Sequence, residues 1–138
     1  MQLFCFPKLN NNLNYLFMEK TTLVLGASPN PERYSNRAVK TLQRQNIPVI
    51  AIGRREHDSD GLKITKGVPS NLPVIDTVTL YLNAKNQEEY YDFILSLKPR
   101  RVIFNPGASN EEFQERCSEE NIEVVTDCML AMLACGQF

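Results

Sequence analysis

Apolar positions fall along this chain in two alternating spacings, short continuous runs and recurrences every three or four residues. Residues 21–26 (TTLVLG) form a β-branched and leucine run closed by glycine, the form of a strand buried on both faces of a parallel sheet. From Tyr34 onward, Tyr34, Ala38, Val39 and Leu42 recur at helical spacing, which predicts an amphipathic helix ending before Ile47-Pro48. Residues 49–52 (VIAI), 77–82 (TVTLYL), 101–104 (RVIF) and 123–126 (EVVT) predict four further strands, with a polar, glycine-containing stretch over residues 53–67 between the second and third. Asn86 is the expected N-cap of a helix bearing Tyr90, Tyr91, Ile94 and Leu97, which Pro99 ends because proline cannot continue the ladder. Asn110 caps the next helix, with Glu111 and Glu112 in the first turn, where the helix dipole favours negative charge, and Phe113 and Cys117 inside. Asp127 is expected to open a last short helix through Ala134, with Gly136 just past its end. Strands alternating with helices at this spacing predict a doubly wound α/β domain: a parallel sheet of about five strands with helices on both faces.

The 138 residues, 43% of them hydrophobic, suit one domain with a single sizeable core. The asparagine-rich segment 1–17 is expected to be a loose N-terminal extension, with the folded domain spanning residues 18–138. Its single lysine, Lys8, with Pro7 and Asn10 to Asn12, is unlike the apolar core of a signal peptide. No apolar run approaches the roughly 18 residues that a spanning helix needs. Fifteen Lys+Arg against sixteen Asp+Glu leave a formal charge of -1, which gives no electrostatic ground for a nucleic-acid or membrane partner. Any anion site must therefore be local. Cys5, Cys117, Cys128 and Cys135 form no CxxC pair and have only His57 beside them, so neither a metal centre nor a disulfide framework is expected, and a reducing cytoplasmic location fits.

In open parallel sheets ligands bind beyond the carboxyl ends of the strands. The first such loop, Gly26-Ala27-Ser28-Pro29-Asn30-Pro31-Glu32-Arg33-Tyr34-Ser35-Asn36, leads into a helix N-terminus with hydroxyl donors and Arg33, the makings of an anion cradle. Only Gly26 is present where the dinucleotide fingerprint needs three glycines, which weakens an NAD reading. At the end of the second strand, Gly53 is followed by Arg54-Arg55 rather than by the acid that accepts ribose hydroxyls, and this pair suits a phosphorylated ribose. Coenzyme A, with its 3′-phosphate, and NADP, with its 2′-phosphate, both carry one. A second small-residue loop, Asn105-Pro106-Gly107-Ala108-Ser109-Asn110, faces the same crevice and can admit a slender chain. His57 sits in a polar loop and is assigned no catalysis; Cys128, just past the fifth strand, is a candidate thiol for a mixed disulfide with coenzyme A.

Three segments together, GASPNPERYSNRAV (26–39), IFNPGASNEEF (103–113) and LACGQF (133–138), resemble the small stand-alone CoA-binding proteins. Their domain is similar to the nucleotide-binding domain at the start of the succinyl-CoA synthetase alpha subunit. The resemblance spans about residues 20–138 and implies a Rossmann-like fold holding coenzyme A or an acyl-CoA. It implies that the diphosphate lies over Ala27, Ser28 and the helix beginning near Ser35, assisted by Arg33 and Asn36, with Gly26 and Pro29 of the same loop also expected at the cofactor. It further implies that Arg54 or Arg55, beside Gly53, meets the 3′-phosphate, and that Leu82-Asn83 and Asn105, Pro106, Gly107 and Ala108 flank the adenine or pantetheine. The synthetase's phosphorylated histidine belongs to another domain, so binding without turnover is expected, with an NADP-dependent reductase and a thiol-redox role at Cys128 as the alternatives. The expected partner is a small nucleotide ligand, together with a homodimer contact through the apolar terminal helix or an unknown protein partner.

Overall fold

The computed structural model describes residues 20–138; the extension expected over residues 1–17 lies outside the described residues. Strand β1 (Thr21–Ala27) runs through the middle of the sheet, and its side chains divide between two cores. Leu23 and Leu25 enter one and Val24 the other, as the two-residue period of a strand requires. Helix α1 (Tyr34–Arg44) carries the chain to β2 (Val49–Gly53), which pairs with β1 in parallel. A hairpin of β3 (His57–Ser59) and β4 (Leu62–Lys66) follows, and then β5 (Ile75–Leu80) on the opposite side of β1. Helix α2 (Ala84–Gln87), a 3-10 turn (Glu88–Tyr90) and α3 (Tyr91–Leu97) lead to β6 (Arg101–Phe104). Helix α4 (Glu111–Glu119), β7 (Glu123–Val125) and α5 (Met129–Ala134) complete the domain.

The strand order is β3-β4-β2-β1-β5-β6-β7, parallel except for the β3–β4 pair. Helices α1 and α5 cover one face with Ala38, Val39, Leu42, Met129, Met132 and Leu133. Helices α3 and α4 cover the other, where Tyr91 stacks on Phe113 at 4.3 Å between ring centroids. The α/β class and the two helical layers are therefore as the sequence predicts.

Several details differ. Among the described residues there are seven strands rather than about five, because residues 53–67 are not a loop. Asp60 and Gly61 both adopt positive φ (54° and 76°), the two-residue turn that matches the twist of a hairpin. Leu62 and Ile64 then point inward and are buried while Lys63 is exposed. Tyr34 is 65% exposed instead of facing the sheet. It starts α1 beyond the strand ends, with the Arg37 guanidinium 5.3 Å from its ring centroid. Strand β5 lies two residues earlier than expected, and the N-cap after it is Asn83 rather than Asn86, since the Asn83 side chain accepts from Asn86 N at 2.9 Å. Helix α5 is capped by Cys128 rather than Asp127, whose carboxylate instead takes the Cys128 N–H at 2.7 Å. The apolar face of α5, Met129, Met132 and Leu133, is buried in the domain's own core.

Candidate functional site at the carboxyl edge of the sheet

From β1 the chain moves first toward β2 and later returns to β5 on β1's other side, so the connections reverse direction at the β1/β5 junction. That junction is where open α/β sheets leave a crevice. The loop leaving β1 turns at Gly26, which has φ 91° and whose added Cβ would lie 2.8 Å from the Tyr81 carbonyl oxygen. Only glycine fits there. The loop is then wound tightly by its own polar groups. Ser28 Oγ accepts from Asn30 N at 3.1 Å, Asn30 Oδ1 accepts from Glu32 N at 2.9 Å, and Asn30 O accepts from Arg33 N at 3.0 Å. Buried Asn36 donates Nδ2 to Ser28 O at 2.9 Å and ties the loop to α1. Several of the backbone donors expected to be open are thus used to shape the loop.

What the loop leaves to a ligand is the start of α1. The N–H groups of Asn36 and Arg37 already bond to Arg33 O (3.1 and 3.2 Å), whereas Tyr34 and Ser35 stand ahead of the helical ladder. The N-cap, Arg33, has the extended backbone of a cap (φ -85°, ψ 142°) but makes no side-chain capping bond, and no acidic residue occupies the first turn. A positive helix end left bare of its own caps favours an anion. Replacing Arg33 with serine supplies the missing acceptor, so Arg33→Ser is expected to stabilise the ligand-free domain by about 0.5–1 kcal/mol. A thermal melt that shows no gain would mean that the cap geometry is unavailable.

Beside this cradle lies a cleft of ≈ 280 Å³, lined by Gly53, Arg54, Lys66, Gly67, Leu82, Asn86, Glu89 and Tyr90. Gly53, Arg54 and Leu82 are sequence-predicted site residues; Arg55, Asn83 and the 105–108 loop lie outside its lining. Gly53 permits a close approach of β2 to β1, since a Cβ there would stand 2.2 Å from the Ala27 carbonyl oxygen. Both arginines after it are exposed, and among the described residues neither forms an ion pair. Lys66 and Gly67 reach the cleft because β4 pairs with β2 in the register Gly53↔Lys66. Asn86, Glu89 and Tyr90 form the opposite wall at a spacing of three and four residues, one face of a helical segment. Burial raises the Tyr90 pKa, and neighbouring Glu89 raises it further, so the phenol remains a donor at neutral pH.

Comparison with known proteins decides the family. The model of the CoA binding domain family matches residues 20–134. The chain belongs to this CoA-binding family. Among solved structures it is similar to an uncharacterized protein with 45% identity and a TM-score of 0.78, covering 88% of this chain and 99% of that one. A hypothetical protein from Pyrococcus horikoshii shares 26% identity at TM-score 0.75, covering 87% of this chain and 84% of that one. The fold also recurs in the dinucleotide forming acetyl-coenzyme A synthetase of Ca. Korarchaeum cryptofilum, solved with phosphate and ADP. That likeness has 18% identity and a TM-score of 0.65, and covers 86% of this chain and 28% of that one. No curated protein matches the chain.

Behind the cleft, the CoA-binding domain is braced by buried amides. Asn105, 2% exposed, donates Nδ2 to Thr79 Oγ1 (2.7 Å) and Leu80 O (3.0 Å), and accepts from Met129 N through Oδ1 (2.9 Å). Its side chain is occupied within the protein, and of the predicted 105–108 contacts only Pro106 and Gly107 are exposed. Gln87, fully buried and missed in the sequence, donates Nε2 to both Leu82 O and Ala108 O at 2.8 Å. Asn110 Nδ2 donates in turn to Gln87 Oε1 (2.8 Å) and to Tyr91 Oη (2.7 Å), while Oδ1 accepts from Phe113 N (3.1 Å). The loops after β5 and β6 are thereby held in one frame. Among the described residues the buried Tyr81 hydroxyl meets no partner in hydrogen-bonding geometry; burial raises its pKa and nearby Cys128 adds to this, while Thr79 works the other way. Thr79 Oγ1, on the same strand face, already takes the Asn105 amide.

Cys128 is half-buried at the start of α5 and does not line the cleft. Cys117 is enclosed by the core, where burial pushes its thiol up to about 11. Cys117, Cys128 and Cys135 are free thiols. His57 is half-buried in β3 and pairs with Ile64 across the hairpin. Among the described residues, no group of three His, Cys, Asp or Glu side chains is placed to hold a metal ion. None of their helices is long and apolar enough to cross a membrane.

Proposed function

We propose that this chain binds coenzyme A or an acyl-CoA as a carrier, sensor or regulatory module, without turning it over. The observation that carries the reading is a single edge of the sheet presenting an uncapped helix N-terminus at α1 and, beside it, a cleft walled by Arg54. The first suits the diphosphate and the second the phosphorylated ribose. Of the two arginines, Arg54 is the better candidate for the 3′-phosphate because it lines the cleft and Arg55 does not. Leu82 and Tyr90 give the cleft apolar surface against which an adenine can pack, and the exposed Pro106-Gly107 turn is the candidate contact for the pantetheine. At the adenine and 3′-phosphate end the cleft residues offer cations, an amide, a carboxylate and a phenol, groups that can recognise a nucleotide.

Thermal unfolding with and without 1 mM coenzyme A, acetyl-CoA, dephospho-CoA and NADP tests this. A ligand bound at about 10 μM contributes roughly 2.7 kcal/mol, which raises the midpoint by on the order of 8–15 °C in a domain of this size. Coenzyme A should exceed dephospho-CoA and NADP. Arg54→Ala should weaken coenzyme A by about 1.5–3 kcal/mol and leave dephospho-CoA nearly unchanged. A response to NADP alone would replace this reading with that of a reductase, and no response to any CoA species would remove it.

A further inference from the structure

Arg54 is not the only cation on its wall of the cleft. Lys66, sixty-six residues into the chain and separated from Arg54 by a whole hairpin, lines the same wall, with Gly67 beside it. Two contacts place it there. The β2–β4 register sets Lys66 opposite Gly53, the residue before Arg54, and Glu56 Oε2 accepts from Lys66 N at 2.7 Å. The Glu56 carboxylate therefore pins the end of β4 to the Arg54-Arg55 turn instead of pairing with either arginine. Among the described residues Lys66 has no ion-pair partner. The charged groups around the cleft are thus Arg54 and Lys66 on one wall, with Arg55 and Glu56 in the adjoining turn, and Glu89 on the opposite wall. A dianion entering this field seats against the first wall and is turned away from the second.

Building on the CoA reading of this cleft, we propose that Lys66 is the second cation of the 3′-phosphate site, held beside Arg54 by Glu56 acting as a positioning residue. Arg54 presents a planar fork of donors and Lys66 a point charge, so a terminal phosphate with three oxygens can be held from two directions. Selection of coenzyme A over dephospho-CoA then depends on the hairpin as much as on the arginine.

Isothermal titration of the full chain with coenzyme A and with dephospho-CoA tests the proposal, the readout being the ratio of the two affinities. Lys66→Met keeps the aliphatic stem at an exposed position and should weaken coenzyme A about tenfold, with dephospho-CoA within about twofold of wild type. Glu56→Ala should lower the preference for coenzyme A by about threefold, because Lys66 N loses its acceptor. Glu56→Gln keeps an acceptor oxygen and removes a negative charge, so it should hold the preference at or above the wild-type value. If the wild type prefers coenzyme A and Lys66→Met leaves that preference intact, or weakens both ligands alike, the role of Lys66 is overturned while the CoA reading stands. Equal behaviour of the two Glu56 variants overturns its positioning role. A wild-type chain that binds both ligands equally has no 3′-phosphate site, and one that binds neither loses the CoA reading itself.

Discussion

Gly53→Ala is expected to lower the unfolding free energy by at least about 3 kcal/mol, read as an earlier midpoint in a urea titration. The new methyl group would stand 2.2 Å from the Ala27 carbonyl oxygen and 3.0 Å from the Ile64 side chain. The Ile64 contact can be relieved by a rotamer change, but the Ala27 contact is with backbone. Relief requires β2 to part from β1 at Ala27↔Gly53, the last rung of their pairing. That rung carries the cradle loop on one strand and Arg54 on the other. Folded survivors should therefore also bind coenzyme A poorly, and a variant with wild-type stability would contradict the close approach of these strands.

Asn105→Ala is the second substitution with a large expected effect, about 3 kcal/mol in the same titration. Alanine leaves three groups without the Asn105 amide: Leu80 O, Thr79 Oγ1 and, most costly, Met129 N at the head of α5. A hydroxyl can reorient, but a buried backbone N–H that has lost its acceptor cannot be rescued by water. Asn105→Asp separates the two halves of this role. The carboxylate still accepts from Met129 N but loses the Nδ2 donors in a buried site, so its pKa in the folded state is raised above the unfolded value. Stability relative to wild type should then be greatest at acid pH, where the group is protonated in both states, and should fall as pH rises through the carboxylate range. A loss independent of pH would mean that the carboxylate reaches water. Equal stability of Asn105→Ala and wild type would show that the bond to Met129 N is dispensable.

Elements whose burial is one-sided or complete could be read directly from the chain. Leu23, Val24 and Leu25 announce β1 because a run of this kind has no solvent face to hide, and β6 was placed residue for residue by the same argument. Asn110 was legible as a cap because its acceptor stands three residues ahead of a buried Phe113. The hairpin was missed although Asp60-Gly61 is a turn signal, since the flanking lysines and acids masked the short Leu62/Ile64 alternation. Lys66 went unseen for the same reason, as a residue reaches the cleft through strand pairing only if the strand itself is recognised. Gln87 did leave a trace: it precedes Tyr91 by four and Ile94 by seven residues, which puts an amide on the buried face of its helix. Nothing in the sequence indicates that Asn105 reaches the start of α5, because its partner lies 24 residues away and across a strand.

The sheet separates two hydrophobic layers that communicate only through strands such as β1. Helix α1 belongs to one layer, while Leu82 and Tyr90 pack against the other. A nucleotide lying from the start of α1 to the Tyr90 wall crosses the rim of the sheet and becomes a brace between the layers. On the proposed reading, loosening either helical layer would require release of this brace, so a bound nucleotide should tie the opening of one layer to that of the other.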